Sequence, residues 1–293
     1  MSDDTEMDPR QYYDELGDGE WERLDANPVA RLEFENTTDY LAERLPDAES
    51  PSDPADDSAR GDSDPVRVLD AGGGPGRYAC WLAERGYEVQ HTDLSNEQVS
   101  LARENVAKRN VEGSVTCQQA DVRDLPFPDD SFDAVCCLGG VLSHVVDPAE
   151  REQAIRELRR VATPDAPTFV SVIGRLATLR DIAKHVLDGS HGLLVPLAED
   201  GDYTDERVER LADGEGWAEC HFFRADEFER ELADAGLSVD RLVGLEGPVS
   251  RLQAELADAD DAAIADVRAM LREVREDRSV VDTSEHMLAV CRA

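Results

Sequence analysis

Val66-Arg67-Val68-Leu69-Asp70-Ala71-Gly72-Gly73-Gly74-Pro75-Gly76 reads as an apolar strand that delivers a carboxylate into a glycine-rich turn. The apolar run predicts a strand over 66–70. Gly72, Gly74 and Gly76 suit a loop that needs positive φ and lets a ligand approach the backbone, and the next helix opens near Arg77. A dinucleotide-binding loop wants G-x-G-x-x-G, and counted from Gly72 and Gly74 its last position falls on Arg77, so that fingerprint fails. What remains is an acidic residue followed by G-x-G-x-G.

Working outward from this stretch, short apolar runs alternate with amphipathic ones, the pattern of βαβ units in a parallel sheet covered on both faces. Strands are expected over 66–70, 87–91, 114–118, 132–138, 168–173, 237–243 and 286–292. Ser95 followed by Gln98 forms a capping box for a helix through Arg109, while Ala154, Ile155, Leu158, Val161 and Ala162 trace one face of a helix that Thr163-Pro164 stops. Residues 175–220 read as an irregular, helical insertion. A helix near Ala225–Ala235 follows, then one long helix carrying Leu252, Leu256, Ile264, Val267, Leu271 and Val274 on one face. Ahead of the first strand, residues 9–45 space aromatic and apolar positions as two or three helices, with Pro28 suited to a first helical turn. Residues 46–65 are rich in Pro, Ser, Asp and Ala and read as an acidic flexible linker. The expected divisions are thus 1–45 (helical lid), 46–65 (linker) and 66–293 (main domain).

Composition bounds the partners. The 293 residues carry 66 Asp plus Glu against 30 Lys plus Arg, a formal charge of −36, and only two lysines, Lys108 and Lys184. Such a field repels nucleic acid and anionic membranes, and it destabilises the compact state unless salt screens it. At molar salt the Debye length falls to roughly 3 Å, which removes most of that repulsion. This acidic, lysine-poor balance is similar to that of proteins from salt-accumulating archaea. Cys80, Cys117, Cys136, Cys137, Cys220 and Cys291 include no C-x-x-C pair and read as reduced core thiols. With no basic N-terminus leading into an apolar stretch and no apolar run of membrane-spanning length, a cytoplasmic protein is expected, as a monomer or homodimer.

The acidic residue and G-x-G-x-G resemble the first motif of class I S-adenosylmethionine-dependent methyltransferases, and the resemblance covers roughly residues 66–173. It implies an α/β fold: a seven-stranded doubly wound sheet in the order 3-2-1-4-5-7-6, the last strand antiparallel. It also implies S-adenosylmethionine as cofactor. Asp70, Gly72, Gly74 and Gly76 match the loop around the methionine end, the acidic position acting through backbone amides. Asp93 follows the second strand, 17 residues after Gly76, and matches the carboxylate that accepts both ribose hydroxyls. Asp121-Val122 resembles the adenine site, Leu94 would pack on the adenine face, and Leu138 and Gly139 would line the methionine moiety.

For the chemistry, His144 and His221 are the candidate general bases, because imidazole titrates near neutrality. His144 has an alternative reading as a helix-start histidine bonded to backbone, and His221 stands beside Phe222 and Phe223 ahead of the next helix. His185 and His191 lack a third ligand at regular spacing, so no metal is implied. Tyr12, Tyr13 and Trp21 are candidates for a lid whose aromatic faces attract the sulfonium cation, or for docking a helix on the sheet. Arg31 is a candidate for the cofactor carboxylate, with Glu33 and Glu35 as its other possible partners. The segment after the fourth strand is not Asn/Asp-Pro-Pro-Tyr/Phe, which argues against methylation of base amino groups. A small-molecule acceptor is expected, its specificity residing in 1–45 and 175–220. Methylation of a protein or RNA, or cofactor binding without catalysis, are the competing readings.

Overall fold

The computed structural model describes residues 8–48, 65–184, 189–212 and 217–293. Strands β1 (Arg67–Ala71), β2 (Glu88–Asp93), β3 (Val115–Gln119), β4 (Ala134–Cys137), β5 (Pro167–Ile173), β8 (Ser238–Gly244) and β9 (His286–Arg292) form one sheet in the order β3-β2-β1-β4-β5-β9-β8. The first five strands are parallel, and β9 runs antiparallel to both β5 and β8. This is the expected seven-stranded order with its antiparallel last strand.

Burial on both faces explains why the strands read as near-continuous apolar runs. Along β1, Val68 packs into one core layer and Leu69 into the other; along β5, Phe169 and Val170 divide in the same way. Truncating fully buried Phe169 to Ala would cost about 3–5 kcal/mol. One layer is covered by α6 (Pro148–Val161) and α10 (Ala225–Asp234), the other by α3 (Pro28–Arg44), α4 (Arg77–Ala83) and α5 (Asn96–Arg109).

Local chemistry sets the helix ends. Ser95 caps α5 by accepting from the Gln98 N–H at 3.0 Å, and Asn110 stops that helix in the left-handed conformation, φ 58°. Only half of the expected capping box forms, because the Gln98 side chain points instead to α1 (Pro9–Leu16), where its amide donates to the Tyr13 and Gly17 carbonyls. Pro28 occupies the first turn of α3, capped by Asn27. Tyr40 and Leu41 of α3 are buried against the sheet, whereas the residues of α1 and α2 (Gly19–Arg23) are at most partly buried. Of the stretch read as a linker, 49–64 lies outside the described residues.

Two expectations are corrected. The long helix breaks into α11 (Gln253–Leu256), α12 (Asp261–Val274) and α13 (Arg278–Thr283), since the Asp260 carboxylate caps the backbone N–H of Ala263 at 2.8 Å and starts a new helix. Within 175–220, the described residues are more ordered than the sequence suggests. They contain α7 (Arg175–Lys184), α8 (Leu194–Glu199), α9 (Asp205–Leu211) and a two-stranded ribbon of β6 (Asp202–Tyr203) and β7 (Cys220–His221). Leu193, Leu197, Cys220 and Phe222 give this insertion a small core of its own.

Candidate functional site

A cavity of about 380 Å³ opens at the carboxyl ends of β1–β4. The Gly72–Pro75 turn, Asp93–Ser95, Ala120–Arg123, Leu138, Gly139 and His144 form its walls, while Asp8–Arg10, Tyr13, Glu20, Arg23 and Leu24 of the N-terminal segment close over it. Open α/β sheets bind ligands at this edge, where the strand order reverses between β1 and β4.

The turn is tied down at its centre. The Gly72 and Gly73 N–H groups donate to the Thr92 carbonyl at 2.8 and 3.0 Å, joining the end of β1 to β2. The Gly74 N–H donates to Asp93 Oδ2 at 2.9 Å, and the Gly74 carbonyl accepts from His91 Nε2 at 2.9 Å. A carbonyl can only accept, so His91 carries its proton on Nε2; burial pulls its pKa down to about 4 and keeps the ring neutral. Gly73 has no room for a side chain, because an added Cβ would lie 2.6 Å from His91 Cδ2 and against the Asp70 carboxylate. Gly73 and His91 are not among the residues the sequence singles out; the run of three consecutive glycines is the signal for the first.

Asp70 lies beneath this turn and does not line the cavity. Neither carboxyl oxygen has a hydrogen-bond partner among the described residues, and burial together with nearby Asp93 pushes its pKa up to about 7. Gly76, at φ 83°, is also set back: an added Cβ would stand 3.1 Å from Ala102 Cβ, so this position serves the close packing of α4 on α5. Gly72, Gly74, Asp93, Leu94, Asp121, Val122 and Leu138 do line the cavity.

Asp93 accepts one backbone N–H on each oxygen, from Gly74 and from Ser95 at 2.8 Å, which leaves a lone pair on each for a diol. Burial raises its pKa to about 6 despite these bonds. Leu94 is 39% exposed, one of two large apolar side chains so placed among the described residues, and it offers a flat apolar wall. Asp121 is already engaged: the Arg123 side chain pairs with both of its oxygens, and the Arg123 N–H donates at 2.9 Å. Its pKa stays low although burial opposes this. A diol acceptor, an apolar wall, glycine backbone and a cavity of this size fit an adenosyl group.

His144 and His221 have different fates. His144 lines the cavity, with Nδ1 2.9 Å from the Glu219 carbonyl and Nε2 3.0 Å from the Tyr13 hydroxyl. His221 is 4% exposed and away from the cavity, which corrects the expectation that it acts as a base. Its Nδ1 is 2.5 Å from Asp202, and Glu227 and Glu231 stand near its Nε2. Arg175 and Arg151 pair with those two glutamates, so three carboxylates face two guanidiniums and an imidazolium. Although burial lowers the His221 pKa, the hydrogen bond to Asp202 and the Glu227 carboxylate 3.4 Å from Nε2 outweigh it and hold the ring charged more readily than usual. The network pins the insertion to α10 and α6. Of the three aromatic lid candidates, Tyr13 alone lines the cavity; Trp21 instead stacks on Arg77. Arg31 is exposed, whereas Arg10, Arg23, Arg77 and Arg123 line the cavity; Arg23 is held by Glu20 at 2.8 Å and Glu33 at 2.6 Å.

Residues 68–165 match the family model for a methyltransferase domain. Methyltransferase GfsG of Streptomyces halstedii is 36% identical over 124 residues, 42% of this chain and 43% of that protein. The ubiquinone/menaquinone biosynthesis C-methyltransferase UbiE of Geotalea daltonii is 36% identical over 101 residues, 33% of this chain and 41% of that protein. The chain therefore matches less than half the length of either relative. Among solved structures, a SAM-dependent methyltransferase from Methanosarcina mazei aligns with a TM-score of 0.54 at 21% identity, covering 77% of this chain and 91% of that one. A Thermotoga maritima SAM-dependent methyltransferase, described as a possible histamine N-methyltransferase, aligns at 0.56 and 17%, covering 96% and 98%. These structures share the fold. The matched segment, residues 68–165, thus carries the likeness to a methyltransferase domain, and it lies in a sheet of the fold these structures share.

Proposed function

We propose that this protein transfers the methyl group of S-adenosylmethionine to an O, N or C nucleophile of a small molecule. The observation that carries this reading is the partial roof over the cavity: α1 and α2 overhang the cofactor edge and make a half-open pocket of about 380 Å³ in place of a flat groove. Asp93 is assigned to the ribose hydroxyls, Leu94 to the adenine face, Val122 and Asp121 to the adenine edge, and Gly72, Gly74 and Leu138 to the methionine end. Arg23 adds a cation suited to the methionine carboxylate, beside Gly139. Methyl transfer is an in-line displacement at the sulfonium carbon, so the chain's main tasks are to align the nucleophile about 3 Å away and to exclude water.

Acceptor selection is assigned chiefly to the N-terminal segment, because the 175–220 insertion reaches the cavity only through Glu219 among the described residues. The −36 charge argues against an RNA acceptor. The name of the UbiE relative describes a C-methyltransferase of quinone biosynthesis, which is compatible with a small acceptor. The test is incubation with methyl-labelled S-adenosylmethionine and a cell extract split by molecular mass. Label is expected in the small-molecule fraction; label confined to protein or RNA would overturn the proposal. Binding of S-adenosylhomocysteine without any transfer would favour a non-catalytic binding protein.

A further inference from the structure

We infer that Tyr13, on the N-terminal helix that closes the cavity, takes the acceptor's proton while its own hydroxyl proton passes to His144. This rests on the methyl-transfer reading above.

Both ring nitrogens of His144 are occupied. Nδ1 faces the Glu219 carbonyl at 2.9 Å, and because that oxygen can only accept, Nδ1 carries the hydrogen. Nε2 is then the bare nitrogen, and it accepts from the Tyr13 hydroxyl at 3.0 Å. Acting alone, His144 presents no free basic nitrogen to an acceptor; Tyr13 stands in front of it. The Tyr13 hydroxyl oxygen keeps a free lone pair, and Tyr13 and His144 both line the cavity.

The surroundings suit transfer through the pair. Burial pulls the His144 pKa below its ordinary value, so the ring is neutral and able to accept at pH 7. Burial, reinforced by Glu20, pushes the Tyr13 phenol well above its ordinary range, while Arg23 opposes this; the phenol therefore relays a proton and does not rest as a phenolate. Tyr12 and Trp217 pack edge-on around the pair, at 5.3 Å from Tyr13 and 5.4 Å from His144 respectively, and Cys220 also faces Tyr13.

The step balances. The nucleophile's lone pair forms a bond to the methyl carbon as the S–CH3 bond breaks, its electron pair going to sulfur and giving S-adenosylhomocysteine. The nucleophile's proton moves to the Tyr13 oxygen, and the Tyr13 proton moves to Nε2. The resulting imidazolium is held by its Nδ1–H bond to Glu219.

The same geometry couples lid closure to chemistry. α1 is latched where the cofactor's ribose is assigned: Gln98 donates to the Tyr13 carbonyl at 2.7 Å, and Ser95, two residues after Asp93, donates to Asp14. The proton acceptor is assembled only with α1 seated.

The experiment uses the full chain saturated with S-adenosylhomocysteine, labelled with ¹⁵N-histidine, with the His144 signal assigned by loss in His144→Gln. His144 should show the Nδ1–H tautomer at neutral pH. In Tyr13→Phe its titration midpoint should rise by about 0.5–1 pH unit, the equivalent of losing one neutral hydrogen bond to the unprotonated nitrogen. With the labelled small-molecule fraction as acceptor, Tyr13→Phe should lower the transfer rate on the order of 100-fold and recover as rising pH ionises the acceptor. S-adenosylhomocysteine affinity should stay within about threefold. Tyr12→Phe should behave as the parent. An Nε2–H tautomer, an unmoved midpoint, or a Tyr13→Phe rate within threefold of the parent would overturn the relay. Failure of the parent to bind S-adenosylhomocysteine would instead overturn the methyl-transfer reading.

Discussion

Replacing Asp93 by Ala should weaken cofactor binding by on the order of 100-fold. Each Asp93 oxygen accepts one backbone N–H, from Gly74 at 2.9 Å and Ser95 at 2.8 Å, and keeps one lone pair for one ribose hydroxyl. A hydrogen bond to a charged acceptor nets about 1.5–3 kcal/mol, so two at the lower bound sum to about 3 kcal/mol, roughly two decades in Kd. The Gly74 and Ser95 N–H groups left without a partner push in the same direction. Calorimetric titration with S-adenosylhomocysteine measures it. Asp121→Ala is the comparison: Arg123 already holds that carboxylate, so its loss should cost less than about tenfold. Asp93 titrates at about 6, so parent affinity should fall as pH drops through that value, since protonation removes an acceptor, while the Asp93→Ala curve stays flatter. Equal affinities for parent and Asp93→Ala, or a larger loss for Asp121→Ala, would refute the ribose assignment.

Gly73→Ala should lower the melting temperature and weaken S-adenosylhomocysteine binding together: the new Cβ would sit 2.6 Å from His91 Cδ2, and relief by backbone movement costs about 1–3 kcal/mol. Stability of the cofactor-free protein should rise as pH falls from about 8 to about 5. Asp70 at about 7 and Asp93 at about 6 bind protons in the native state that an unfolded carboxylate takes up only near pH 4. His286 acts in the same sense. Burial lowers its pKa, but Glu33 and Glu246 raise it to about 9, so its contribution is complete below the unfolded value of about 6.5 and is lost as pH rises through 9. His91, held down at about 4, and His144, also lowered, oppose these groups in part below the unfolded value of about 6.5. Urea midpoints at three pH values check both, and a midpoint that increases with pH would contradict them. The charge of −36 with two lysines predicts a melting temperature that climbs with potassium chloride; a flat response up to molar salt would contradict that screening argument.

The cofactor edge was legible because its determinants are local. Val68 to Ala71 are buried on both faces and read as a strand, and Asp93 and Leu94 sit at fixed offsets from the next strand's end. The acceptor side depends on pairs far apart in the chain. Tyr13 meets His144 across 131 positions, and His144 meets Glu219 across 75, so no local pattern encodes either contact. His221 looked equivalent to His144 because a sequence does not show which histidine is enclosed by Asp202, Glu227 and two arginines. Which arginine of the N-terminal segment reaches the cavity is hidden in the sequence for a similar reason. The break between α2 and α3 turns Arg23 into the cavity, and Arg31 falls on the exposed face of α3.

The central claim is that this cavity holds S-adenosylmethionine beneath the N-terminal helices, and a crystal structure of the complex with S-adenosylhomocysteine tests it most directly. Both ribose hydroxyls should lie on the Asp93 carboxylate, the adenine against Leu94, and the sulfur facing Tyr13. A ribose away from Asp93, or product bound outside the space between α1 and the Gly72–Pro75 turn, would contradict it.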